Sequence, residues 1–285
     1  MKHYYYCLIA GLPDIFIEDN KLSVSLPDFK NQLTEEKLPQ DDLKLVQSFF
    51  WRYDNQNLLI RLTDSNNEPN ALANLNPGDV DELFALEKDD SLENLKGKVP
   101  SYLGEFINAY KNETPLFSGK SWGNQLTELY YLYVQTLNNE FICNWYDFEM
   151  GLTNILTAFN CRKHEMEILG ELIGDNELTA KLAKSNARDF GISNEFPKLE
   201  AILRAVEEDN ILEKERKIDQ LKWELLDEWT FFHYFTIEKI FAYILKMEMI
   251  ERWLRLDKKT GEELFGRLLT NLESSYEFPE EFTIK

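Results

Sequence analysis

The chain has 285 residues, 44% of them hydrophobic and 13% aromatic, with 51 acidic against 31 basic side chains for a formal net charge of −20. That composition supports a folded, well-cored protein and argues against wholesale disorder. The acid excess is shared evenly, with 22 acids against 12 bases in residues 1–142 and 29 against 19 in residues 143–285, so it belongs to the whole surface. Such a surface repels phosphate backbones and anionic headgroups, which disfavours nucleic-acid binding and membrane adsorption, and it speeds encounter with partners that carry basic loops.

In chain order, Tyr4 to Ala10 is compatible with a short buried strand and Phe16 to Val24 with a small hairpin around Asp19-Asn20. Apolar runs this short leave helix and strand both open. Everything after residue 35 reads at helical period. Residues 41–53 place Leu43, Val46, Phe49, Phe50 and Tyr53 on one face behind Asp41 or Asp42. The segment Asp79–Glu93 carries seven acids against one lysine and reads as a solvated helix face. Pro100 opens a helix bearing Leu103, Phe106, Ile107 and Tyr110, since a first-turn proline removes no needed donor. Ser121 caps the next, whose Trp122, Leu126, Leu129, Tyr133 and Leu137 form one apolar stripe.

A long helical stretch is predicted from about Asp147 to Ile173. Pro197 is predicted to start a longer one running from Lys198 to about Trp229. Thr236 reads as a cap, with Phe235 and Ile240 spaced as a hydrophobic staple. The helix beyond it is apolar nearly all round and belongs in the middle of a bundle. Thr260-Gly261-Glu262-Glu263 reads as a capping box for a last helix.

Cys7, Cys143 and Cys161 are odd in number and without close Cys-x-x-Cys spacing, which suits a reducing compartment better than a disulfide framework or zinc site. No apolar run approaches the roughly 20 residues needed to span a bilayer. Pro13-Asp14 follows the Tyr-rich start without a small-residue cleavage pattern, so the expected location is cytoplasmic.

No constellation carries chemistry, and no enzyme, metal or cofactor is expected. Gly119-Lys120-Ser121 ends like a phosphate loop, but Thr114 stands where that motif needs its first glycine. Asp89, Asp90 and Glu93 resemble half of the magnesium site of a helical isoprenoid synthase, without a second carboxylate cluster or basic residues for the diphosphate. His3, His164 and His233 form neither a zinc-protease pair nor a Glu-x-x-His unit.

Three segments share an acid followed by an Asn-like position and an apolar run. They are marked by Asp54 and Asn57, by Glu149 and Asn154, and by Glu248, Trp253 and Arg255. Setting Asn57, Asn154 and Trp253 in register gives spacings of 97 and 99 residues, the signature of three related helical units each too small to hold a core alone. The expected architecture is mostly α, with units over residues 1–98, 99–196 and 197–285.

Phe235 to Leu254-Arg255, including Ala242-Tyr243-Ile244-Leu245-Lys246-Met247-Glu248, resembles the C-terminal repeat of the C/d family of V/A-type ATPase connectors, known by the letter d in eukaryotes. Phe148-Glu149 through Leu152-Thr153-Asn154-Ile155-Leu156-Thr157 is similar to that family's middle repeat. Tyr4-Tyr5-Tyr6 with Leu8 to Pro13 looks like a shorter bacterial branch associated with V-type ATPases. Trp253 and Asn160 depart from it, standing where the family favours Asn and Arg. The resemblance implies a funnel of three pseudo-symmetric units between the central-stalk subunits and the membrane proteolipid ring. Its role would be to transmit torque for ion transport without a catalytic site. A helical scaffold or adaptor outside any ATPase is the alternative that the same helices and charge allow.

Overall fold

A computed structural model of the chain describes residues 3–63, 67–85, 99–193 and 195–256, together with isolated helical positions 261, 266 and 268. Among the described residues the protein is all-α, with eleven helices and no strand. In chain order these are α1 (Tyr6–Ala10), α2 (Leu26–Glu35), α3 (Gln40–Leu62), α4 (Pro77–Ala85), α5 (Ser101–Lys111) and α6 (Trp122–Gln135). They are followed by α7 (Glu140–Lys163), α8 (Glu177–Lys184), α9 (Leu199–Val206), α10 (Ile211–Thr230) and α11 (Ile237–Arg255).

The N-terminal strand and hairpin are replaced by one short helix and a turn. Tyr5 spends its backbone N–H on the Phe235 carbonyl at 2.7 Å, and the helix that follows buries Leu8. Residues 16–19 close on themselves, Phe16 N–H donating to Asp19 Oδ2 at 2.8 Å, which leaves no ladder for a second strand. The stretch foreseen from Asp147 starts seven residues earlier, at Glu140, where Asn139 caps it by accepting from Ile142 N–H at 3.0 Å. It stops at Lys163, and the chain turns at Glu165 with φ of +53°.

The single helix foreseen from Lys198 to Trp229 is two. The break falls at residues 207–210, where the Asn210 side chain takes the N–H groups of Leu212 and Glu213 at 3.0 and 3.4 Å and restarts the helix. A short polar side chain that competes with the backbone in this way favours a cap over a helix interior. Ser121 caps α6 as the sequence indicates, accepting from Asn124 N–H at 3.1 Å, while Pro100 stands at the N-cap of α5 rather than inside it. Thr236 caps α11 by backbone alone. Asp89, Asp90, Glu93 and the Thr260, Glu262 and Glu263 positions of the capping box lie outside the described residues.

Three of the four longest helices, α3, α7 and α11, begin at Gln40, Glu140 and Ile237, 100 and 97 residues apart. Among the described residues, two of them open a similar order of elements. After α3 come a loop, the short α4, then α5 and α6; after α7 come a loop, the short α8, then α9 and α10. α11 packs on α2, α3, α7 and α10, and buries ten of its nineteen residues. Such all-round burial is why its sequence is apolar on every face. At the heart of the bundle the Phe241 ring of α11 meets Phe49 of α3 edge-on at 6.4 Å and Tyr146 of α7 at 6.0 Å. Phe49 and Tyr146 stand 97 residues apart, so equivalent turns of α3 and α7 face one ring. On another face of α7, where Phe196 and Leu178 pack, a Cβ on Gly151 would stand 2.4 Å from the Phe196 ring.

Candidate functional site

The repeat register places Arg52, Glu149 and Glu248 at equivalent positions of α3, α7 and α11, separated by the same 97 and 99 residues. Arg52 Nη2 meets Glu149 Oε2 at 2.9 Å, and Lys222 Nζ of α10 lies 3.7 Å from the other oxygen. The Arg52 guanidinium also lies 4.8 Å from the centre of the Phe49 ring. Burial pushes the Glu149 carboxyl up, but Arg52 and Lys222 outweigh it and hold the group below the ordinary carboxylate range. Desolvation pulls the Arg52 guanidinium down, but Glu149, the Tyr130 and Tyr146 hydroxyls and Glu248 together outweigh it and hold the group above its ordinary range. The result is an ionised cluster that ties α3, α7 and α10 together.

One turn further along, Asn57 and Asn154 make the same bidentate clamp. Asn57 Oδ1 accepts from Asn70 N–H at 2.7 Å and its Nδ2 donates to the Asn70 carbonyl at 3.1 Å. Asn154, fully buried, accepts from Ile173 N–H and donates to the Ile173 carbonyl, both at 2.8 Å. In each case a mid-helix amide satisfies both backbone groups of one residue in the loop that follows, as a buried loop requires. Further side chains complete each clamp. Asp54 takes the N–H groups of Asn74 and Leu75 at 2.8 Å each, and Lys30 caps the Leu72 and Ala73 carbonyls. On the second loop, Glu128 accepts from Gly174 N–H at 3.0 Å and Asn124 donates to the Gly170 carbonyl at 3.0 Å. Gly170 comes so close to Gly119 that a Cβ would stand 2.7 Å from its carbonyl oxygen.

The third unit is anchored differently. Trp253 Nε1 donates at 2.7 Å to Asp219 on the preceding helix α10, and Arg252 pairs with the same buried carboxylate and with Glu215 at 2.9 Å. The wider indole reaches back across a helix pair where the amides reach forward to a loop. Arg255 is exposed and stands apart, its Nε near the Glu251 carbonyl of its own helix.

The structure therefore brings Glu149 into the cluster, leaves Glu248 acting on Arg52 only as a nearby charge, and puts Asp54, Asn57 and Asn154 to loop fastening. Asp54 lies two positions past the true counterpart of Glu149, which is Arg52. Arg52 was legible in principle, by subtracting the 97-residue period from Glu149; Lys222 and Asp219 carry no such signal. Lys120 pairs with Glu128 while Ser121 caps α6, so the residues that end like a phosphate loop serve the second clamp. Among the described residues no group of three or more His, Cys, Asp or Glu side chains could hold a metal ion, and no helix is long and apolar enough to cross a membrane.

Fold and cluster together define an all-α protein built on a recurring long-helix and clamped-loop unit. The chain belongs to DUF2764, a family described as a protein of unknown function, whose model matches residues 1–276. No curated protein and no solved structure matches the chain.

Removing Arg52 leaves Glu149 buried with only the more distant Lys222. Arg52→Met is expected to cost about 3 kcal/mol in urea unfolding, and the double change with Glu149→Leu to cost less than the single one. Asn154→Leu strands the Ile173 N–H and carbonyl, and is expected to lower stability by about 1–3 kcal/mol by the same measurement. Burial pushes the Asp54 carboxyl up to about 6, against the pull of the Asn74 and Leu75 N–H groups and Lys30. Its value in the unfolded chain is about 3.9, so the folded state binds this proton more tightly. That contribution is full below the unfolded value and is lost as pH rises through the folded one. The stability difference between the native chain and Asp54→Asn is thus expected to shrink from about pH 4 to about pH 6.5 and to stay level above that, read from urea melts across that range.

Proposed function

We propose that this chain is a non-catalytic connector of a V/A-type rotary ATPase, standing between the central-stalk subunits and the membrane proteolipid ring. The observation that carries the reading is the recurrence of one device, a long helix whose mid-helix asparagine clamps the following loop, at Asn57 and Asn154, 97 residues apart. It gives physical content to the repeat spacing on which the resemblance to the C/d connector family rests. The start of α11 a further 97 residues beyond that of α7 extends the same rhythm to a third unit.

A torque-bearing part needs stiff helices, loops that do not slacken under load and broad contact surfaces, and it needs no acid, base or metal of its own. Buried ion pairs and amide clamps that cross-link helices and loops supply that stiffness. A net charge of −20 spread over the surface suits basic loops on neighbouring proteins of the complex. On this reading the protein works at the cytoplasmic face of the membrane without entering it.

Mild-detergent affinity purification of the tagged chain from its native cells tests the reading. Stalk, head and ring subunits of a V/A-type ATPase are expected among the recovered proteins by mass spectrometry. Recovery of the chain without them, from an extract in which the ATPase is intact, would overturn the connector reading and leave a helical scaffold outside any ATPase.

A further inference from the structure

The N-terminal ends of α3, α7 and α11 open on a single cavity of about 1040 Å³. Three helix N-termini each bring about +0.5 of a charge, which by itself would favour an anion. The lining reverses that sign. Among the described residues, Asp41, Asp42, Glu140 and Glu238 face the cavity, against Lys44 as the one lysine or arginine. The formal −3 of these described groups exceeds the about +1.5 of the three helix ends, which makes the cavity electronegative.

Glu238 is the telling member. It is only 7% exposed, and Oε1 accepts from Asn139 Nδ2 at 3.0 Å. Oε2 is buried without a hydrogen bond of good geometry; burial pushes the carboxyl up, but the Thr236 hydroxyl, Asn139 and His233 hold it below the ordinary carboxylate range. The nearest basic group is His233 Nδ1, 3.5 Å away, and that nitrogen also lies 3.4 Å from Thr236 Oγ1. A buried carboxylate oxygen with unused accepting capacity is costly, and a cationic donor reaching it removes the cost.

Beside His233 stand three aromatic side chains in the open. Phe231, Phe232 and Tyr234, in the turn between α10 and α11, are 63%, 81% and 62% exposed. Tyr6 packs on Phe235 of the same turn at 4.7 Å and is itself exposed. Solvent-facing aromatic groups that flank the cavity-lining His233 in the chain match the composition of protein-binding surfaces, where aromatic anchors surround a desolvated charge.

We infer that this cavity receives an arginine or lysine side chain of a partner polypeptide, its cationic head on Glu238 Oε2 and its apolar neighbours on Phe231, Phe232 and Tyr234. The inference rests on the non-catalytic, partner-binding reading of the chain, and it can fail or stand on the isolated protein whatever the ATPase purification shows. The probe is a fluorescein-labelled nonapeptide of alternating leucine and arginine, titrated with the full chain by fluorescence anisotropy beside a twin carrying citrulline for arginine.

The arginine peptide is expected to bind at least about ten-fold more tightly than the citrulline twin, a gap of the size that charge-assisted hydrogen bonds give. Glu238→Gln is expected to weaken it at least about five-fold, while Glu213→Gln, at an exposed acid outside the cavity, leaves it unchanged. Equal binding of the two peptides overturns the proposal, as does an equal loss in Glu213→Gln, which would mean diffuse attraction to an acidic surface. Displacement of the peptide by spermidine at lower concentration than by unlabelled peptide would assign the cavity to a free polyamine and overturn the polypeptide occupant. Should Glu238→Gln melt early by circular dichroism, Phe232→Ser at the exposed rim serves instead, and undiminished affinity there sinks the idea.

Discussion

An arginine can be taken out of water only where an ionised partner and good hydrogen-bond geometry meet it, and that requirement locks the register of this bundle. Arg52 of α3 and Glu149 of α7 meet at 2.9 Å, with Lys222 of α10 on the far oxygen. Sliding either long helix by one turn would carry each charge about 5 Å from its partner into aromatic surroundings. Apolar contacts alone would tolerate such a shift better, because Phe, Tyr and Trp rings find new faces readily. The ion pair thus specifies where α3 stands against α7, and the Phe241 ring between Phe49 and Tyr146 carries the alignment on to α11.

With the helices in register, the loops follow. Each of the first two long helices projects an asparagine at its middle, and each asparagine fastens one residue of the loop that leaves the helix. A loop that folds back over a helical core would otherwise bury backbone groups without partners. The amide side chain suits the task because its one donor and one acceptor face match those of a peptide unit. In the third unit Trp253 has only a donor, and it is spent on Asp219 of the helix before. One position has therefore been put to two uses, forward to a loop and backward to a helix.

The polar investment inside the protein is structural. Asp54, Asn57, Glu128, Asn154 and Asp219 are all buried, and each holds backbone or a neighbouring side chain in place. Glu238 departs from that pattern, buried at a cavity wall with one oxygen that has no hydrogen bond of good geometry. The contrast between satisfied carboxylates within the bundle and an unsatisfied one at its edge is what separates a framework from a surface built to meet something else.

The helical class, most helix positions and the spacing of the repeat were legible from sequence, because they depend on local periodicity and on caps such as Ser121 that act within four residues. Asn154 and Glu149 could be singled out for the same reason, as marks recurring at a fixed interval. The N-terminal segment resisted, since five apolar residues suit a strand or a helix equally and the Tyr5 partner, Phe235, lies 230 positions away. The apparent single helix from Lys198 to Trp229 kept its apolar period across a break that Asn210 makes by capping. The partnership of Arg52 with Glu149, the approach of Lys222 and the convergence of three helix ends on Glu238 were decided only in three dimensions. Local pattern says which face of a helix is buried, while the identity of the group across the gap depends on how separate helices are laid together.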